Sequence, residues 1–298
     1  APAWAGLSHT LNVLPAYASR EDSERIGDAK AKSMAAAQKA LELDPNLTTA
    51  LHAMANNLLA RFEWNEAHKY YLKALAQDLE STDILEDFGH FLLYSWQTEK
   101  ARQVADRMIA LDPYVPAFLF MAIGAYEVLG DTEKQDEYIA VALGINPDLT
   151  NMQVKKFARL LEQGRSTDAG AYIDEMNLQD WTTPASMHRM VDWTFDLEMP
   201  LDEEMSSALS FFPTFALVSG RYKLWGEQVS VESFNHWENV LGTISVLSST
   251  ANEERFRQLN GLPQSKALIL EARLPEYWNE IGWPPRCRPL GEDDFVCE

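Results

Sequence analysis

A short phrase recurs along this chain at a fixed interval. Leu43-Asp44-Pro45, Gln77-Asp78-Leu79, Leu111-Asp112-Pro113 and Ile145-Asn146-Pro147 follow one another at 34-residue steps, without slippage. A period of this length constrains a fold more tightly than composition does. Each unit is one supersecondary element that cannot bury its apolar face alone, so neighbours must stack. Between the markers each unit reads as two amphipathic helices. In the clearest, Ala50, Leu51, Met54, Ala55, Leu58 and Leu59 fall at helical spacing, Phe62-Glu63-Trp64 interrupts, and Ala67, Tyr70, Tyr71, Ala74 and Leu75 form a second stripe. Proline lacks a backbone donor and does not continue a helix, so each marker is expected to be a joint whose Asp or Asn caps the helix that follows.

This pattern resembles the tetratricopeptide repeat. In that frame the small residues at the helix crossing are Ala55 and Gly89, and those on the second helix are Ala67 and Ala101. Gly130 and Gly164 stand at the turn between paired helices, where Phe62 and Trp96 take the place of glycine in two other units. Leu79 replaces the marker proline once, and Gln135 replaces the small residue of the fourth unit. The resemblance covers residues 1 to about 176 in five units. The first unit is irregular: Ala3, Trp4, Leu7 and Ser8 match the start of a first helix, but surplus residues in Leu14-Pro15-Ala16-Tyr17 and from Ser19 to Asp28 delay the next marker.

The resemblance implies an all-α, right-handed α-α superhelix whose first helices line a concave groove. The family's groove positions fall on His9, Asn12, Thr49, His52, Asn56, Asp83, Glu86, His90, Tyr94, Phe120 and Glu127, with His9, Asn56 and His90 at one corresponding position in successive units. Family members that clamp a terminal carboxylate carry Lys, Arg and Asn there. Here only Asn56 fits that role, and Asp83, Glu86 and Glu127 would repel a carboxylate, so the expected partner is a basic or polar peptide. For any single residue, an ordinary solvated concave face is the alternative.

Charge narrows the function classes. The chain of 298 residues carries 45 Asp and Glu against 25 Lys and Arg, a formal charge of -20. Nucleic-acid binding needs bases to displace condensed counterions, and anionic membrane surfaces are disfavoured for the same reason. No apolar run reaches the roughly 18 residues of a membrane span. The start, Ala1-Pro2-Ala3-Trp4, has neither an initiator Met nor a signal segment, and the first unit is incomplete, so the chain is expected to be a piece of a longer protein. No nucleophile elbow, phosphate loop, dinucleotide fingerprint or His-Glu-x-x-His motif is present, which points to a non-enzymatic module without a cofactor. His9, His52 and His90 are metal-ligand types, but neighbouring rungs stand too far apart to converge on one ion, and no metal is expected. His68, His188 and His236 have no spaced partner. The adjacent acids Glu203-Glu204, Glu253-Glu254 and Asp293-Asp294 diverge on a helix and read as solvated charge, and Gly291-Glu292-Asp293-Asp294 lacks the spaced oxygens of a calcium loop.

Beyond about Met176 the marker disappears while helical periodicity persists, with helices expected over 184–197, 201–211, 213–228, 231–247, 252–260 and 264–274, and a short turn of helix over 275–281. Three segments follow: repeats over 1–176, degenerate Trp-rich helices continuous with the solenoid over 177–274, and an extended capping tail over 275–298. Trp181, Trp193, Trp225 and Trp237 read as packing anchors, or alternatively as the lining of a small-ligand sensor pocket in that second half. The tail, with Trp278, Trp283 and Phe295 among Pro and Gly, is expected to pack over the last helices. It resembles the ending of bacterial regulators in which a tetratricopeptide region follows a winged-helix, TolB-like or cyclase module, which implies a scaffold or sensor role in signalling. Cys287 and Cys297 are the chain's two cysteines. A disulfide between them implies an oxidising, periplasmic or extracytoplasmic setting, and two free thiols imply the cytoplasm. A homodimer is compatible with the sequence.

Overall fold

The computed structural model describes residues 1–14, 23–177, 183–196, 198–200, 241, 244, 247–248, 253–291 and 294–298, with only the backbone of 23–27. The helices expected over 201–211 and 213–228 lie outside the described residues, as does most of that over 231–247. So do Trp181, Trp225, Trp237, His236, the Glu203-Glu204 pair, Glu292, Asp293 and residues 15–22 of the first unit.

The described residues are helical apart from one short hairpin. Helices α1 (Pro2–Val13), α2 (Ser23–Leu43), α3 (Thr48–Leu59), α4 (Trp64–Gln77), α5 (Thr82–Tyr94), α6 (Thr98–Leu111), α7 (Pro116–Leu129), α8 (Thr132–Ile145), α9 (Thr150–Glu162) and α10 (Ser166–Ile173) follow the repeat. Then come α11 (Pro184–Phe195), α12 (Glu253–Asn260), α13 (Pro263–Glu271), α14 (Leu274–Ile281), and strands β1 (Cys287–Pro289) and β2 (Phe295–Cys297), which pair as a two-stranded sheet. Consecutive helices pack as pairs, α1 on α2, α3 on α4, α7 on α8 and α9 on α10. Ala55, Ala67, Gly89 and Ala101 are buried at the expected small positions, and Gln135 is buried where the pattern has a small residue.

The marker residues act one step earlier than expected. Asp44, Asp78, Asp112 and Asn146 do not cap the next helix. Each accepts through Oδ1 from the backbone N–H two residues on, at 3.1, 3.1, 2.9 and 3.0 Å. The caps of the following helices are Leu47, Ser81, Val115 and Leu149, none with a side-chain capping bond. The marker is therefore an Asx turn, a geometry that Asp and Asn adopt readily. This explains why Leu79 replaces proline without loss of the joint, because Asp78 carries the turn.

The turn inside each pair is equally regular. Phe62, Trp96, Gly130 and Gly164 all have positive φ, at 57°, 62°, 77° and 70°. The residue after each donates back five positions, Glu63 to Leu58, Gln97 to Leu92, Asp131 to Tyr126 and Arg165 to Leu160, at 2.8 to 3.0 Å. This is the Schellman closure of a helix C-terminus, which needs one left-handed residue.

Contacts divide the chain into two compact units. Unit 1 is Ala1–Val104 with Ile269–Phe295, and unit 2 is Ala105–Leu268 with Val296–Glu298. Neither boundary coincides with the 176/177 and 274/275 joints drawn from periodicity.

Within unit 1 the C-terminal segment holds the short helix expected over 275–281, but seats it on the second and third repeats. Residues 274–281 are helical, and α14 packs on α4. Trp278 is fully buried and donates from Nε1 to the Ser95 carbonyl at 3.0 Å, with its ring 5.1 Å from Trp96 and 5.9 Å from Phe295. Trp64 in turn donates to the Ala272 carbonyl at 2.5 Å. Ser95 and Ala272 end helices, where carbonyls lack intrahelical partners, so two indoles each satisfy an orphan acceptor while burying their rings. Tyr277 adds its hydroxyl to His68 Nδ1 at 2.9 Å and an edge contact to Phe91. These partners belong to the second and third repeats, which offer the aromatic surface that α14 needs.

Candidate functional site

On α5 the residues Asp83, Glu86, Asp87, His90 and Tyr94 recur at i, i+3, i+4, i+7 and i+11, which places them on one helix face. Across from them α3 presents His52 and Asn56. Asp87 joins the two helices. His52 Nε2 lies 2.7 Å from its Oδ2, and Asn56 Nδ2 donates to the same oxygen at 2.7 Å. Tyr71 of α4 completes the set by donating its hydroxyl to Asn56 Oδ1 at 2.5 Å.

Asp87 is absent from the expected groove residues. Its spacing from Asp83 and His90 signals the face, but that it binds two side chains of the preceding repeat is a tertiary fact. His52 is 7% exposed and engaged by Asp87 through Nε2, so it positions the cluster instead of presenting itself. Asp83 is exposed, while Glu86, Asp87, His90 and Tyr94 are half-buried, with the His90 and Tyr94 rings stacked at 5.9 Å.

Electrostatics follow from three carboxylates on one face. Burial pushes the Glu86 carboxyl up, and the charges of Asp87 and Asp83 push it further. Burial also tends to raise Asp87, but the hydrogen bond and charge of His52, the Asn56 hydrogen bond and the charge of His90 hold it below its ordinary value. Burial lowers His90 in spite of the Asp87 charge and a hydrogen bond from its ring to the Glu86 backbone carbonyl. Tyr71 stays protonated far above the usual range, through burial and the charges of Asp87 and Tyr94.

The remaining expected residues are distributed differently. His9 and Thr49 are exposed on α1 and α3, and Asn12 is buried on α1. Phe120 and Glu127 belong to unit 2, where Phe120 packs against the cluster of Leu119, Ile123, Ile139, Ala142 and Met152, and Glu127 pairs with Lys155. Trp193 is fully buried in unit 2, as an anchor would be. Neither Cys287 nor Cys297 is a free thiol: both are buried and disulfide-bonded, one on each strand of the terminal hairpin. Among the described residues no helix is long and apolar enough to cross a membrane.

Helix pairs closed by a left-handed turn and joined by an Asx turn, recurring at 34-residue steps, make an all-α repeat architecture of the kind the tetratricopeptide resemblance implies. Among solved structures the chain is similar to PilF of Pseudomonas aeruginosa, at 18% identity over 74% of this chain and 99% of that one, with a TM-score of 0.49. No protein-family model matches the chain, and no curated protein sequence matches it.

Proposed function

We propose that unit 1 is a non-catalytic binding module that takes a basic or polar peptide along the α3–α5 face. The observation that carries this is the preorganised acidic set of Asp83, Glu86 and Asp87, with the Asp87 carboxylate tied to His52 and Asn56 before any partner arrives. Fixed acceptors spare a ligand the ordering cost of binding, and the His90–Tyr94 stack offers ring faces to a Lys or Arg side chain. His9 and Thr49 extend the surface on α1 and α3. In this reading the chain serves as a scaffold or sensor region in a bacterial regulator. The disulfide supports a periplasmic or extracytoplasmic setting, because such a bond persists in an oxidising compartment.

The test is fluorescence polarisation against a panel of Lys- and Arg-containing peptides and their Glu-containing counterparts. Binding of the basic set should fall at least tenfold in Asp83→Lys/Glu86→Lys and weaken with salt. Equal affinity of the double variant and the wild type would overturn the groove assignment. Alkylation under non-reducing conditions, followed by mass spectrometry, tests the compartment: protein isolated with two free thiols from its native host would place it in the cytoplasm.

A further inference from the structure

A second site stands apart from the peptide face, inside unit 2. A cavity of about 530 Å3 opens along α8 and α9 and reaches Arg165, just before α10. That volume lies in the range that accepts a small organic ligand. Ile139, Leu143 and Leu160 supply an apolar wall. Ala140 and Gly144, one turn apart on α8, withhold bulk where the cavity opens, and a Cβ on Gly144 would meet nothing within 4 Å. Gly144 is helical and has no positive φ, so neither the backbone nor a close contact requires a glycine that weakens its helix.

The polar lining reverses the sign of the molecule. Lys156, Arg159 and Arg165 stand against Asp136 in a chain of formal charge -20. The cations differ in their commitments. Arg159 is held by Asp136 at 2.8 and 3.2 Å and by Glu162 at 2.6 Å. Arg165 is held by Asp168 at 2.7 Å and by the Gln163 side-chain carbonyl at 3.2 Å. Lys156 has its ammonium 3.9 Å from the Tyr172 ring centroid and pairs with no carboxylate among the described residues. Lys156 lines the same cavity as the apolar wall, and its ammonium, resting on the Tyr172 ring and on no described carboxylate, is the cation left to meet one negative charge on an apolar body. Asp136, Glu162 and Asp168 close by would repel a second charge, which disfavours phosphate dianions.

We infer that this cavity binds a small amphipathic monocarboxylate, with its apolar body on Ile139, Leu143 and Leu160 and its carboxylate on Lys156. The same chemistry occurs in a free organic acid and in the C-terminal residue of an apolar peptide. Isothermal titration of the full chain with 4-phenylbutyrate, its primary amide and inorganic phosphate tests the site, and acetyl-Gly-Gly-Phe with a free or amidated terminus identifies the source. The acid should bind saturably at one site, at least tenfold more tightly than the amide, with no heat from phosphate. Lys156→Met should weaken the acid about tenfold, and Gly144→Leu should abolish binding while the melting temperature is kept. Asp83→Lys/Glu86→Lys should leave it unchanged, which separates this site from the peptide face. A free-terminus peptide that outbinds phenylbutyrate would make a chain terminus the source. Equal binding of acid and amide, affinity unchanged in both Lys156→Met and Gly144→Leu, or no saturable binding of either acid probe would overturn the inference.

Discussion

The two units close the same turn with different residues. In unit 2 Gly130 and Gly164 occupy the left-handed position, where the absence of a Cβ makes the conformation easy. In unit 1 Phe62 and Trp96 occupy it at φ 57° and 62°, a conformation that costs an ordinary residue about 1 to 2 kcal/mol. The backbone bonds around the four turns are alike, so the difference lies in what the side chains touch. Trp96 is 3% exposed and lies against Trp278 of the returning C-terminal helix. Phe62 is half-buried and stacks on Trp64, which donates to Ala272 of the same returning segment. A strained backbone is retained where a ring at that point is needed to receive a distant part of the chain. Among the described residues of unit 2, the same turn is closed by glycine.

That comparison can be broken in order of expected effect. Trp278→Ala should be most severe, losing about 3 to 5 kcal/mol by the usual cost of truncating a buried aromatic. Hydrogen exchange should show protection lost in unit 1, over α4 and α5, and kept in α7 to α9; uniform loss would mean that the units do not respond separately. Trp96→Gly removes the strain but also a buried ring, and should still cost about 2 kcal/mol in urea denaturation. A neutral or stabilising result would show that the turn is aromatic for some reason other than the α14 contact.

Acid should weaken the same seam by a smaller amount. His68 accepts or donates at Tyr277, and its imidazole is lowered to about 4 by burial first and the charge of Lys100 second. The folded state then binds fewer protons than the unfolded one, so stability present above the ordinary pKa of 6.5 is lost as pH falls from there through about 4. His90 acts in the same direction. Denaturation midpoints measured across this window should decline in the wild type and flatten in part in His68→Leu. An unchanged slope would remove His68 from the account.

The smallest effects lie in the turns themselves. Gly130→Ala should cost about 1 kcal/mol, since it introduces a Cβ at φ 77°. Phe62→Gly should fall within about 0.5 kcal/mol of the wild type, because the relief of strain offsets the loss of a half-buried stack. Paired melting curves of these two variants test whether the left-handed position follows one rule in both units.

Much of this is legible in the sequence. The period, the paired helices, the buried small residues and the four turn positions all follow from local pattern, and Phe62 and Trp96 stand out as departures from glycine in the residue pattern alone. Asp83, Glu86, His90 and Tyr94 are legible as one acidic and aromatic face. Their hub, Asp87, is not, because its role depends on His52 and Asn56, 35 and 31 residues earlier. The Asx turns look like helix caps in the sequence because both roles draw on the same residue types, and they differ only in which N–H the oxygen meets.

The tail is the least legible part. Its tryptophans announce a need for burial without saying where, and the last helices are the nearest apolar surface along the chain. The seat of Trp278 is 183 residues away at Ser95. By itself the sequence determined a stack of helix pairs, since a 34-residue recurrence of apolar stripes and turn residues is satisfied by neighbours alone. Only the tertiary structure decided which turns carry strain, which acid organises the peptide face and where the chain end lies. These are contacts between segments with no fixed spacing, chosen by which orphan carbonyls and aromatic faces the folded repeats leave open.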